Sequence, residues 1–271
     1  MDDFVILVIF HMFTIEKING PSLYRPRVPG LPCSCALAGR LNVNINKIRR
    51  KRTKRKKETD AVRRELAGPF DRPARDVPPA GAVTDGLMAF ACHGQALPCG
   101  GDDGARCVTW ATVRRIWRLV DGITTDDAAD YVVTKRSHLL AHPFLHEVAS
   151  RMLSVTRGNQ TPKLLLYSGH DTTVTPLTIA LGIYDGRWPP YASRVVFELY
   201  GRGRGGHSDA EDAYFIRVLF NGEDRTKYLR FCAEAQLVKG LCPLRNFVHF
   251  VRHEQLQSVG HTNYTVACNG R

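Results

Sequence analysis

From Leu87 onward, apolar residues recur at intervals that predict helices and strands. In VRRIWRLV, the residues Val113, Ile116, Trp117 and Val120 share one helical face. Pro143 suits a first helical position, and Leu145, Val148, Ala149, Met152 and Leu153 carry that stripe towards a stop at Gly158. KLLLYS, Lys163–Ser168, is a short apolar run of the kind a buried strand uses. Gly169, His170 and Asp171 follow it, and TTVTPLTIALG (Thr172–Gly182) predicts a helix with a hydroxyl cap and a glycine stop. Strand, polar turn and helix in that order mark where open α/β sheets bind ligands. RVVFELY (Arg194–Tyr200) and YFIRVLF (Tyr214–Phe220) predict two strands, joined as a hairpin by the Gly-rich loop 201–206 and an acidic stretch. Asn221-Gly222 turns the chain after the second strand. Pro243–Gln255 then predicts a helix with Leu244, Phe247, Val248 and Val251 inside. The fold class is α/β.

Before Leu87 the periodicity fails. Pro21, Pro26, Pro29, Pro32, Pro69, Pro73, Pro78 and Pro79 break up residues 20–86, which read as linker. The expected division is a low-complexity, basic and Pro-rich arm over 1–86, disordered, and a folded portion over 87–271. Lys57–Leu66 would suit a charged helix, but nothing apolar is at hand to pack it down. Phe4–Phe13 is apolar for ten residues and stays open between a buried strand or helix and a degraded signal core or anchor. Asp2 and Asp3 stand where a signal sequence prefers positive charge, and ten residues are too few to span a bilayer.

Composition sharpens the contrast. The chain has 271 residues, 44% of them hydrophobic, which allows a packed core and excludes wholesale disorder. Its net charge of +12 is uneven: residues 1–86 hold 17 basic and 9 acidic side chains, a net of +8. Most of the excess lies in KIRRKRTKRKK, Lys47–Lys57, where nine of eleven residues are basic. Self-repulsion favours a solvated run there, while its charge would attract nucleic acid or anionic lipid.

Eight cysteines are present, six of them (Cys92, Cys99, Cys107, Cys232, Cys242, Cys268) beyond Leu87. No C-x2-C pair occurs and His93 adjoins a single cysteine, so disulfides are favoured over zinc. Two glycosylation sequons, at Asn159 and Asn263, point to the same oxidising, secretory context.

The chemistry centres on His170 and Asp171. An imidazole at a strand end can donate to a phosphoryl oxygen. A neighbouring carboxyl, held protonated near the anion, can give its proton to the departing alkoxide. The bare pair is also what a turn would use for caps.

LLLYSGHDTTVTPLTIALGI, RWPPYASRVVFELY, FIRVLFNGED and CPLRNFVHFV resemble the C-terminal half of the histidine acid phosphatases. LPCGGDDGARCVTW, HLLAHPFL and TNYTVAC extend the resemblance over about residues 88–271. The resemblance implies a partial mixed sheet flanked by helices, with a mainly helical insert at about 90–140. It implies His170 as a phosphate contact, Asp171 as proton donor, and a local Cys232–Cys242 disulfide. It calls for no metal or organic cofactor. The implied partner is a phosphomonoester such as a phosphorylated glycan, in the Golgi part of the secretory pathway, with membrane association possible through the N-terminus of a full-length protein. No nucleic acid is expected.

The family's nucleophile lies in an Arg-His-Gly-x-Arg-x-Pro motif that this sequence lacks. Cys92-His93-Gly94 and Arg252-His253-Glu254 are poor substitutes and read as surface. No nucleophile is therefore expected in this chain, and without one the transferred phosphoryl loses most of its positioning. The alternative is a non-catalytic truncated family member or a basic-arm binding protein.

Overall fold

A computed structural model describes residues 3–11, 35–101, 104–159, 163–201 and 213–269, with 3–11 described at the backbone alone. In chain order these form β1 (Asp3–His11), α1 (Ala36–Lys51), α2 (Thr53–Ala67), α3 (Ala80–Cys92), β2 (Cys99–Gly100), β3 (Arg106–Cys107), α4 (Trp110–Ala128) and α5 (Tyr131–Thr156). Then come β4 (Leu166–Gly169), α6 (Asp171–Leu181), β5 (Arg194–Gly201), β6 (Tyr214–Phe220), β7 (Glu223–Asp224), β8 (Cys242–Pro243), α7 (Leu244–His249), a π-helical turn (Phe250–Glu254), α8 (Gln255–Gln257) and α9 (Tyr264–Asn269). The contacts divide the chain into a larger unit (1–42, 131–184, 191–271) and a smaller one (43–130, 185–190).

The larger unit is built on a mixed sheet in the order β4-β1-β5-β6-β7, with β8 also paired to β6. The apolar run at the N-terminus is a strand: β1 pairs parallel with β4 and antiparallel with β5. Register explains the burial. Val195, Phe197 and Leu199 pair with Phe220, Val218 and Ile216, so all six share one face, and all six are buried. Helices α5, α6 and α7 supply Leu145, Met152, Leu177, Leu181 and Phe247 to the same core. On the other face Glu198 opposes Arg217 and accepts from its Nε, while the edge strand β4 leaves Leu166 63% exposed. The expected buried strand Lys163–Ser168 is thus shorter, and it is an edge.

Three helical expectations change. Pro143 lies inside α5 rather than at its start. It deprives the Leu139 carbonyl of its intrahelical donor, yet Leu139, Ala141, Phe144 and Leu145 are all buried, and that packing carries the helix through. The N-cap of α6 is His170, with no side-chain hydrogen bond, in place of a hydroxyl. The stop at Gly182 is as expected, at φ 83. A Cβ there would also stand 2.5 Å from Arg230 Cγ. The last helix reads α7, one π turn and α8, with Phe247, Val248, Phe250 and Val251 still inward.

Disulfides join Cys232 to Cys242 and Cys35 to Cys268 in this unit. Closing the short loop is worth about 2–3 kcal/mol and the long one about 5 kcal/mol on the chain-entropy estimate. Two buried histidines complete the unit. His138 meets the Ser258 hydroxyl, and His142 Nδ1 lies 3.0 Å from Gln255 Oε1. The same Gln255 donates through Nε2 to the His138 carbonyl, while the His142 ring stacks on Tyr264. Burial pushes both imidazoles down to about 4.

The smaller unit departs furthest from expectation. Of the expected arm, 3–11 is β1 and 36–86 is largely helical, as α1, α2 and the start of α3, whereas 1–2 and 12–34 lie outside the described residues. Val62 and Leu66 of α2, one turn apart, are buried with Val83, Leu87, Val113, Ile116 and Val120. Two apolar residues on a charged helix are too faint a pattern to read unaided. The basic run is held by acids at the end of α4. Arg49 Nε donates to Asp127 Oδ2 at 2.8 Å, Arg52 Nη1 to Asp127 Oδ1 at 2.6 Å, and Arg55 Nε to Asp126 Oδ2 at 2.7 Å. The Arg55 hydrogen bond is the main cause that holds the Asp126 carboxyl below its usual range. Cys99–Cys107 closes the β2–β3 hairpin, and Cys92 is a free, exposed thiol.

Two tests follow from these contacts. Asp127 is buried and Asp126 is 38% exposed, so the two acids should not be equivalent. Asp127→Ala strands two arginines and should cost about 1–3 kcal/mol, while Asp126→Asn should cost less than about 1 kcal/mol; equal urea midpoints would contradict this. The second concerns pH. His138 and His142 titrate near 6.5 unfolded and near 4 folded, so between those values the unfolded chain binds more protons. Stability should be full above pH 6.5 and fall as pH drops towards 4, by up to about 1.4 kcal/mol per pH unit for each histidine. A urea midpoint that is flat from pH 6.5 to 5 would refute it.

Candidate active site

The polar turn GHD sits where β4 hands over to α6. Gly169 ends the strand and is buried. His170 continues with extended backbone, φ −118 and ψ 170, and its carbonyl accepts from the amides of Thr173 at 2.8 Å and Val174 at 2.9 Å. Those bonds start the helix, so Asp171 becomes its first residue. The imidazole of His170 is exposed and Asp171 is half-buried. The first amides of a helix have no intrahelical acceptor, and together with the helix dipole they favour an anion beside Asp171.

Register adds two residues that sequence reasoning missed. β4 and β1 run parallel, and His11, the last residue of β1, lies opposite Gly169. Arg194 opens β5 opposite Phe10 and is exposed. The backbone positions of His11, Gly169-His170-Asp171 and Arg194 therefore gather at one end of the sheet, the carboxyl end of its two parallel strands. The available signal for His11 was a histidine inside the apolar run Phe4–Phe13, which signal-like hydrophobicity obscured.

The remaining expected residues stand on other elements. Asn159 and Asn263 are both exposed, and Asn263 Oδ1 accepts from the Val266 amide at 3.0 Å as α9 begins. His93 caps α3 in the smaller unit. Arg252, His253 and Glu254 occupy the exposed side of the π turn, where Glu254 lies 2.9 Å from His249 Nδ1. Both motifs lie at the surface. Among the described residues no three His, Cys, Asp or Glu side chains come together as a metal site. No helix is long and apolar enough to cross a membrane, again among the described residues.

Residues 132–221, which hold the GHD turn and the β5–β6 hairpin, match the model of the histidine phosphatase superfamily (branch 2). Over this region the chain is similar to that superfamily, and its mixed α/β sheet is of that fold family. Among curated relatives, 2-phosphoxylose phosphatase 1 of Danio rerio is 37% identical over 207 residues, 68% of this chain and 40% of the relative. The Homo sapiens protein of the same name is 30% identical over 209 residues, 76% of this chain and 42% of its own. Lysophosphatidic acid phosphatase type 6 of Mus musculus is 30% identical over 151 residues, 53% of this chain and 32% of its own. The chain thus spans about two fifths of the length of the 2-phosphoxylose phosphatases it matches.

An exposed side chain without hydrogen bonds should matter little to folding. His170→Ala should shift unfolding by less than about 0.5 kcal/mol. Asp171→Asn should destabilise by about 0.3–1 kcal/mol through the lost charge at the helix start. Thermal denaturation checks both, and a loss of several kcal/mol would make the pair structural.

Proposed function

We propose that the protein serves phosphomonoester hydrolysis of the histidine acid phosphatase type, on a phosphorylated glycan, 2-phosphoxylose of a proteoglycan linker, in the Golgi lumen. One observation carries the reading: the Gly169-His170-Asp171 turn between strand and helix, inside the region matching the superfamily. The disulfides support an oxidising compartment, and the exposed sequons support glycosylation at Asn159 and Asn263.

In this reading the phosphoryl group rests against the first turn of α6. His170 donates a hydrogen bond to a phosphoryl oxygen, and Asp171 gives a proton to the departing alkoxide. General acid help of this kind is worth about 10²–10⁴ in rate. It does not replace a nucleophile, because the uncatalysed barrier for phosphate monoesters is among the largest known. The Arg-His-Gly-x-Arg-x-Pro motif is absent. His11 stands opposite Gly169 by register, beside the turn. The missing arginines favour a second reading, a binding protein that retains the site without turnover.

The 271-residue chain should therefore show little or no turnover of a phosphomonoester at mildly acidic pH, and any residue of activity should vanish in both His11→Ala and Asp171→Asn. Fusion to the N-terminal half of the Danio rerio relative should restore turnover. In that fusion, Asp171→Asn should lower kcat by about 10²–10⁴ with phosphate binding largely kept, while His170→Ala weakens both. Full activity of the Asp171→Asn fusion would remove Asp171 from the mechanism.

A further inference from the structure

The basic run Lys47–Lys57 is sorted by the fold into two sets. Arg49, Arg52 and Arg55, three residues apart, turn to Asp126 and Asp127 of α4. Lys47, Arg50, Lys51, Lys54, Lys56 and Lys57 are exposed, and none makes an ion pair among the described residues. Glu58 of the same helix is engaged by Arg55 at 3.0 Å. Between α2 and α4 lies a groove of about 370 Å³, lined by Arg55, Glu58, Arg115 and Arg118 with Val62 and Leu119 at its floor. Arg115 is paired to Glu65, whereas exposed Arg118 spends its Nε on the Arg114 carbonyl and meets no acid among the described residues.

A flexible basic tail would pay the entropy of ordering when it binds. Here the three acid-paired arginines hold the helices, so the unpaired cations are displayed in advance. The partner must be extended and polyanionic, since six cations on about one and a half turns of each helix present no cavity for a small ion. Lipid is disfavoured: Val43 is the one large exposed apolar side chain on α1 and α2, and a membrane-surface helix needs an apolar face. Nucleic acid is disfavoured by compartment, because three disulfides belong to oxidising surroundings. We propose that these exposed cations of α1 and α2 bind an acidic polysaccharide, sulfated or carboxylated, as an electrostatic docking surface. The inference rests on the fold and the disulfides and holds whether or not the chain hydrolyses a phosphomonoester.

Heparin oligosaccharide is the probe, with duplex DNA and phosphatidylserine vesicles as competitors, all titrated against the 271-residue protein over a range of salt. Lys47→Gln, Arg50→Gln, Lys54→Gln and Lys57→Gln together should weaken heparin binding by about tenfold or more and lower the log–log salt slope by about one per cation removed. The comparison variant removes the same charge elsewhere, by Arg157→Gln, Lys163→Gln, Lys227→Gln and Lys239→Gln, and should bind nearly as the parent does. Should the first quadruple variant fold poorly by circular dichroism, Lys54→Gln with Lys57→Gln should still lower the slope by about two, and Lys54→Arg with Lys57→Arg should not lower it. Equal losses in the two quadruple variants would reduce the effect to net charge and overturn the proposal. So would tighter binding to DNA or to vesicles than to heparin at the same salt, or no binding to heparin at all.

Discussion

Strand β1 supplies the backbone hydrogen bonds that make a sheet out of otherwise separate parts. It stands between β4 and β5, parallel to one and antiparallel to the other. Without it the GHD strand would have no described neighbour, and the β5–β6 hairpin would end in an open edge. Its central position also decides where chemistry can collect. β4 and β1 point the same way, so their carboxyl ends coincide, and the turn into α6 emerges beside the end of β1. The site is thus a product of strand direction more than of any single side chain. That is why a single apolar segment far from the GHD turn in sequence controls the surroundings of His170 and Asp171.

Charge organises the smaller unit as hydrogen bonding organises the larger. A run of nine cations repels itself, and an unstructured arm is the natural expectation. The fold relieves the repulsion locally: Asp126 and Asp127 take three of the arginines, and Val62 and Leu66 anchor the following helix. Asp127 accepts from two arginines while buried, which makes it the stronger tie. What remains outside is a set of six exposed cations along the two helices.

Short-range patterns were legible and long-range pairings were not. The hairpin strands Arg194–Tyr200 and Tyr214–Phe220 follow from alternation and from Asn221-Gly222, and they stand nearly where expected. The face Val113, Ile116 and Val120 also followed from spacing and is buried. Pro143 misled because local sequence cannot weigh a buried flank against one lost hydrogen bond. The helices over 36–67 were hidden because their support comes from α4, some seventy residues away. At the site, His170 and Asp171 were legible from a turn between a strand and a helix. His11 and Arg194 were not, since only register brings them to that end.

The bond between Cys35 and Cys268 turns most of the polypeptide into a covalent macrocycle. Every peptide bond from Cys35 to Cys268 lies within that ring, the whole smaller unit included. A single protease cut anywhere inside it opens the ring without dividing the molecule. On a non-reducing gel the nicked protein would keep its mass, and the two fragments would part only when thiol is added.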